Sequence, residues 1–252
     1  MEQIHLSKTL DQDGSMDFFA VQWASYRAVV ENDLMEHQAV ATATAGALED
    51  WLAARADGAA APRMVDLGCG DLALLAPLLK RLPLGTYTGL DLTPQVLPLA
   101  KKALGDVPFP SQWIEGDLLR WANEAESNGD EPIDILHSAF AIHHLGDGEK
   151  QTLLERLRSL ITPGGLFIWV DVFREPGESQ GVYLQRYLQR IATGWPQLTP
   201  QQREHVSHHL ANYDHPAERL AIQATAEAAG WHWRWAWSGA HRAEAMAVLT
   251  PA

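Results

Sequence analysis

The sequence predicts an α/β fold in which helices cover both faces of a mostly parallel, doubly wound sheet, with an added helical cap. Three observations predict it. Short apolar strands alternate with helical patterns between residues 63 and 172, the mark of linked strand–helix–strand units. The first strand runs into a glycine-rich turn, Gly68-Cys69-Gly70. Carboxylates stand at the ends of three successive strands, as Asp66, Asp91 and Asp117.

Each element has a local reason. Residues Phe18–Arg55 carry apolar positions at helical spacing and read as two cap helices, the second over Ala39–Ala54. Ala56–Pro62 is an Ala/Gly-rich linker. The cap then spans residues 1–59 and the core 60–252. Arg63–Gly68 is a buried strand stopped by glycine, followed by a helix over Asp71–Leu82. Thr86–Asp91 is a second strand. Thr93-Pro94 supplies an N-cap and a Pro at the first helical position for a helix to about Ala103. Pro110–Glu115, Ile133–His137 and Leu166–Val172 are further strands, with helices at Leu118–Ala125 and Gly148–Leu160 between them. Thr162-Pro-Gly-Gly165 breaks the last of these helices.

The tail departs from the alternation. Glu175–Tyr213 reads as a helical insertion, with a capping-box variant at Thr199-Pro200-Gln201-Gln202. Asp214-His-Pro-Ala-Glu218 opens another helix that stops at Gly230. Trp231, Trp233, Trp235 and Trp237 occupy alternate positions, which puts four rings on one face of a strand. With Ala243–Leu249 this strand makes an antiparallel hairpin at the sheet edge.

Composition narrows the function classes. The chain has 252 residues, 46% hydrophobic and 20% charged, which excludes disorder, collagen and coiled coil as the main state. The formal charge is −13, and its longest basic runs are the pairs Lys80-Arg81 and Lys101-Lys102. Such a surface repels phosphate backbones, so no nucleic-acid partner is expected. A single cysteine, Cys69, allows no intrachain disulfide and fits a reducing, cytoplasmic compartment. Apolar runs such as Leu72–Leu79 are too short for a membrane span. Met1–Asp17 is polar and does not read as a signal peptide.

The glycines Gly68 and Gly70 let a turn approach a ligand closely and open an electropositive helix N-terminus. The run Gly68-x-Gly70-x-x-Ala73 also fits a dinucleotide fingerprint. Asp66 discriminates: a carboxylate beside a pyrophosphate repels it, whereas it suits a ligand bearing an α-ammonium group. The structural alternative for Asp66 is a turn residue capping local amides. Asp91 can accept both hydroxyls of a ribose. Asp117 can take an adenine amino group while Leu118 packs on the ring. Either aspartate could instead cap a helix.

Taken in order, Val65-Asp-Leu-Gly-Cys-Gly70, Gly89-Leu-Asp91, Gly116-Asp117, Ile133–Leu145 and Thr162–Gly165 resemble the motif series of class I S-adenosylmethionine-dependent methyltransferases. The resemblance covers about residues 60–175. It implies a Rossmann-like seven-stranded sheet, order 3-2-1-4-5-7-6, with the last strand antiparallel. It implies S-adenosylmethionine as cofactor and S-adenosylhomocysteine as product. Asp66 with Gly68 and Gly70 would hold the methionine moiety, Asp91 with Leu92 the ribose, and Asp117 with Leu118 the adenine. The segment from Ser138 to His144 would face the methyl group. One departure is Leu72, which stands where the family often has a third glycine.

His143-His144-Leu145 matches a sequence often found at this place in small-molecule methyltransferases. A histidine pKa near 6.5 suits removal of a proton from a hydroxyl or ammonium nucleophile, which makes His143 the candidate base. His144 would lie beside it in the substrate site, and both could instead be structural. Added helices cover the pocket in related enzymes. On that basis Tyr26 and Arg27 would contact the cofactor, Arg27 by pairing with its carboxylate. Tyr183, Tyr187 and Trp195 would line the acceptor site, although Tyr183 and Tyr187 at helical spacing also suit a core. No metal site is expected. His205 and His209 have i, i+4 spacing, but Val206 stands where a zinc helix of that type carries Glu. The implied function is methyl transfer to oxygen or nitrogen of a small molecule by a monomer or homodimer. The rivals are an NAD-dependent oxidoreductase and a non-catalytic protein on the same fold.

Overall fold

The structure is a computed structural model that describes residues 23–128 and 132–252. Met1–Asp17 and the start of the first expected helix lie outside the described residues. The chain divides into two compact units. The larger comprises Glu36–Tyr183 with Tyr213–Ala252, and the smaller comprises Met1–Met35 with Leu184–Asn212. Among the described residues no helix is long and apolar enough to cross a membrane.

The larger unit is a sheet layered between helices. Its elements run α2 (His37–Ala53), β1 (Arg63–Leu67), α3 (Ala76–Leu79), β2 (Thr86–Asp91), α4 (Leu97–Leu104), β3 (Ser111–Glu115), α5 (Leu118–Asn128) and β4 (Ile133–Ala139). A 3₁₀ turn, Ile142–His144, leads to α6 (Asp147–Leu160) and β5 (Ile161–Arg174). Helix α7 (Gln180–Gly194), from Leu184 on, and α8 (Pro200–Tyr213), up to Asn212, belong to the smaller unit; β6 (Ala217–Glu218), α9 (Arg219–Ala228), β7 (Trp231–Ser238) and β8 (Glu244–Pro251) complete the larger one. The helix over residues 23–31 is α1.

The strand order is β3-β2-β1-β4-β5-β8-β7. Strands β1 to β5 are parallel, while β8 runs antiparallel to both β5 and β7. The expected order holds, its last two strands renumbered by β6. That two-residue strand pairs with the far end of β5 and is additional to the seven expected. Period-two alternation builds a core on each face. On β5, Phe167, Trp169 and Phe173 join one cluster with Leu153, Leu154 and Leu157 of α6 and Ile222 of α9. Leu166, Ile168 and Val170 join the other with Leu48 of α2, Leu79 of α3 and Leu104 of α4. Burial on both faces explains why the central strands are apolar runs rather than alternating ones.

Four expectations need correction. The helix expected over Asp71–Leu82 is only Ala76–Leu79. Gly68, Gly70 and Leu72 all have positive φ (+76°, +54° and +58°), so the chain cannot enter a right-handed helix before residue 73. Leu72 therefore adopts a conformation that favours glycine, and burial of its side chain holds it there. Helix α6 ends at Leu160, just before Thr162–Gly165 as expected, but β5 starts at Ile161 rather than Leu166, and the register shifts there: Ile133 pairs with Ile161 and Ile135 with Leu166. The helix expected from Asp214 starts at Arg219, where the Glu218 side chain accepts from Ala221 N. A register shift between Trp235 and Trp237 turns the last ring away. Trp231, Trp233 and Trp235 pack with one cluster and Trp237 with the other, so the four rings do not share a face.

The two helices expected within residues 1–59 fall in different compact units, divided after Met35. Asp33 and Glu36, both at positive φ, separate α1 from α2. Helix α2 then belongs to the sheet unit: Val40 and Leu48 are buried in its core, and Thr44 Oγ1 lies 3.7 Å from Met246 Sδ. Within the smaller unit Thr199 and Gln202 exchange hydrogen bonds at the start of α8 as expected, Thr199 N donating at 2.9 Å and Gln202 N at 3.2 Å.

Candidate functional site

The carboxyl edge of the parallel strands gathers most of the expected residues. Strand β1 delivers Asp66 and then the turn from Gly68. Gly68 N and Cys69 N both donate to Leu90 O, at 2.8 and 2.9 Å, tying the turn to the end of β2. Asp91, one residue on, accepts from Gly70 N through Oδ2 and from Thr93 N through Oδ1, each at 2.8 Å. The Asp91 carboxylate thus ties the Gly70 end of the turn to the loop that follows β2. Burial raises the Asp91 pKa, and its hydrogen bonds from Thr93 and Gly70 oppose that rise. Leu92 beside it is exposed.

Asp66 lies beneath this turn. It is 2% exposed, and its oxygens are taken by Tyr87 Oη at 2.9 Å and His137 Nδ1 at 2.7 Å. The register explains the meeting, since Asp66 pairs with His137 on β4 and with Gly89 on β2. Asp66, expected to meet a ligand's cationic group or to cap local amides, is bound by two side chains from neighbouring strands and anchors the turn from below. Tyr87→Phe should leave a buried oxygen short of a donor and lower stability by about 1–3 kcal/mol in urea unfolding. An unchanged midpoint would show that the Tyr87 hydroxyl is not what satisfies Asp66.

The turn is also packed from the other side. Gly68 at φ +76° stands against Ala141, so close that an added Cβ would lie 2.3 Å from Ala141 Cβ. Ser138 Oγ donates to Leu67 O at 2.8 Å and is fully buried, so it fastens β4 to β1. Cys69 is buried beside it. Burial, then the charges of Asp66 and Asp91, push its thiol pKa far up. On β3's end, Asp117 Oδ1 accepts from Arg120 N at 2.8 Å, the helix-cap role, while Leu118 packs against the core.

Beyond β4, His143 and His144 sit in the 3₁₀ turn with ring centroids 4.1 Å apart. His143 is held by Asp171 of β5 twice: its backbone N donates to Oδ2 at 2.9 Å, and Nδ1 lies 2.5 Å from Oδ1. Its Nε2 faces Asp214 Oδ1 at 3.6 Å. Burial disfavours the charged ring, yet Asp171 and then Asp214 outweigh that and raise the His143 pKa. The candidate base is thus fixed through Nδ1 by Asp171, and its other nitrogen, Nε2, faces Asp214. Asp171 is itself held low, the charge and hydrogen bond of His143 overcoming the effect of burial. Lys150 reaches in from α6, donating to Leu145 O and, at 2.6 Å, to His215 O; burial lowers its pKa.

Tyr183 is buried in the larger unit. Tyr187 and Trp195 lie in the smaller one, edge to face at 6.0 Å, with the Arg190 guanidinium 5.1 and 5.6 Å from their rings. That is a packed cation–aromatic cluster. Tyr26 stacks on Trp23 at 5.3 Å, and Arg27 pairs with Glu31 one helical turn away. The Arg27 guanidinium thus already has a carboxylate partner within its own helix. Four residues escaped the sequence reading: Tyr87, His137, Asp171 and Lys150. Their signal was polarity inside apolar strands and helix faces, the same signal that picked out Asp66.

Comparison with known proteins finds similarity to methyltransferases. The family described as "methyltransferase domain" matches residues 65–167, from β1 into β5. An uncharacterized methyltransferase of Mycobacterium tuberculosis (strain ATCC 25618 / H37Rv) is 32% identical over 120 residues, 48% of this chain and 55% of that protein. A trans-aconitate 2-methyltransferase of Azoarcus sp. (strain BH72) is 33% identical over 106 residues, 42% of this chain and 37% of that one. The chain thus spans about half the length, or less, of these curated relatives. A chain from the complex between the Haloferax volcanii Trm112 methyltransferase activator and a methyltransferase shares the fold at TM-score 0.57 and 16% identity, covering 97% of this chain and 99% of that one.

Proposed function

We propose, from the premise that residues 65–167 place this chain among the class I methyltransferases, that the protein transfers a methyl group from S-adenosylmethionine to oxygen or nitrogen of a small-molecule acceptor. Asp91 carries the reading. Its two oxygens each accept one backbone N–H. A carboxylate has about four lone-pair sites, so both oxygens retain capacity for the paired hydroxyls of a ribose. The glycine turn would then lie over the methionine end of the donor, and Asp117 with Leu118 would meet its adenine.

When bound, the donor's sulfonium supplies a methyl group that the acceptor's lone pair takes in line, as the carbon–sulfur bond breaks. The chain's part is alignment and exclusion of water. Asp66, Tyr87 and His137 hold the turn in place from below, and Ser138 locks β4 to β1 beside it. An acceptor hydroxyl would pass its proton to a base or to solvent, and an amine would react as the free base.

Calorimetric titration tests it. Both S-adenosylmethionine and S-adenosylhomocysteine should bind saturably at micromolar concentration, with NAD as a silent control. Asp91→Ala should weaken both by about 10- to 100-fold, the loss expected when two hydrogen-bonded hydroxyls lose a charged acceptor. Folded protein that binds neither compound would sink the reading.

A further inference from the structure

The geometry points to a site for a divalent transition ion, built from His143, His144 and Asp214. These three offer one ligand atom each, all within 4.8 Å of one another, and they are the only such trio of His, Cys, Asp or Glu among the described residues. All lie in the larger unit. The inference concerns the ion alone and stands whether or not the protein proves to be a methyltransferase.

The distances favour an ion over direct hydrogen bonds. His143 Nε2 and His144 Nδ1 both lie 3.6 Å from the same oxygen, Asp214 Oδ1. A nitrogen–oxygen hydrogen bond spans about 2.7–3.2 Å, so neither contact is one; His144 Nδ1 lies 3.3 Å from Tyr213 O, a contact that a bound ion would replace. Two atoms that each bind one zinc-sized ion at about 2.1 Å sit roughly 3.4 Å apart at a tetrahedral angle. The observed spacing is close to that value. Two imidazoles and one carboxylate are a donor set of borderline softness, suited to zinc and its first-row neighbours rather than to calcium or magnesium.

The surroundings supply what such a site needs. Asp171 binds Nδ1 of His143 at 2.5 Å, which leaves Nε2 as the free donor. A carboxylate on the far nitrogen of a ligating histidine fixes its tautomer and raises its basicity. Asp171 is in turn anchored by Trp169 Nε1 at 3.0 Å and Val172 N at 2.9 Å. The backbone brings the halves together as well, since His215 N donates to His143 O at 2.7 Å, placing Asp214 beside the 3₁₀ turn. Two carboxylates, Asp171 and Asp214, and one lysine, Lys150, surround the two imidazoles, a surplus of negative charge that favours a cation. His144 is 41% exposed while His143 and Asp214 are buried, so an ion held here would keep an open side. Three protein ligands with an open position are the arrangement of catalytic rather than structural zinc.

Cobalt tests this without an activity assay. Metal-stripped full-length protein should take up one equivalent of Co2+ and develop visible bands of a four- or five-coordinate ion, which Zn2+ then abolishes. His144→Ala and Asp214→Asn should each weaken Co2+ uptake by about 100-fold, as loss of a direct ligand exceeds loss of an outer-shell partner. His144 is half-exposed, so its alanine variant keeps the fold even if Asp214→Asn does not. His205→Ala with His209→Ala should leave the spectrum unchanged. Absence of bands in the wild-type protein, bands that survive His144→Ala, or bands lost with the His205/His209 pair would each overturn the assignment.

Discussion

Trp169→Ala should lower the free energy of unfolding by about 3–5 kcal/mol, the range for deleting a buried aromatic side chain. Trp169 is fully buried at the centre of β5. Its ring meets Phe167 at 6.1 Å, Phe173 at 5.6 Å and Trp233 at 5.7 Å, so one deletion opens a cavity against rings from two strands. The indole N–H also donates to Asp171 Oδ2 at 3.0 Å, the oxygen that accepts from His143 N. The substitution therefore loosens the 3₁₀ turn as well as the core. Trp169→Phe keeps most of the ring and loses the donor, and should cost about 1–3 kcal/mol. Urea unfolding of the pair measures both. An alanine variant within about 1 kcal/mol of the parent would show that the site collapses around the gap, contrary to the tight packing of protein interiors.

Gly68→Ala should abolish donor binding at concentrations that saturate the parent protein. A non-glycine residue at φ +76° costs about 1–2 kcal/mol. The larger obstacle is steric, because the new methyl would sit 2.3 Å from Ala141 Cβ. Either the glycine turn or the segment leading to His143 has to move. Both line the carboxyl edge of the sheet, so donor affinity should fall by at least about 100-fold, equivalent to roughly 3 kcal/mol. Gly148→Ala is the matched control: nothing lies within 4 Å of its added Cβ, and it sits in α6. That variant should bind as the parent does. Parent-like affinity in Gly68→Ala would show that the turn yields without cost to the ligand.

The parts of this fold that were legible in the sequence are those governed by local chemistry. Strand β2 matches its expected span, Thr86–Asp91, because an apolar run there ends at a carboxylate. The capping pair Thr199 and Gln202 was equally readable, since both partners lie within one turn. Helix α3 was not. Its pattern of leucines is helical, but the left-handed backbone at Leu72 is a tertiary demand of the turn and leaves no mark on periodicity. The bulge between Trp235 and Trp237 is hidden for the same reason.

The candidate site divides along the same line. Asp66, Asp91 and Asp117 could be picked out as strand-end carboxylates, yet what Asp66 does depends on His137, 71 positions away. His143 was found by its neighbours in sequence, whereas its two carboxylates come from β5 and from the segment before β6. Which polar groups meet across strands is decided by topology and register. A polar residue inside an apolar strand says only that a partner must exist.

The single thiol of the chain has a practical consequence. Cys69 is buried between the two glycines of the ligand-facing turn, and its high pKa keeps it protonated. A protonated, inaccessible thiol does not attack an alkylating reagent. Any labelling of the native protein must therefore wait for that turn to open, and the labelling rate counts those openings. The protein thus contains, with no added probe, a clock on the motion of the loop that its ligand would have to close.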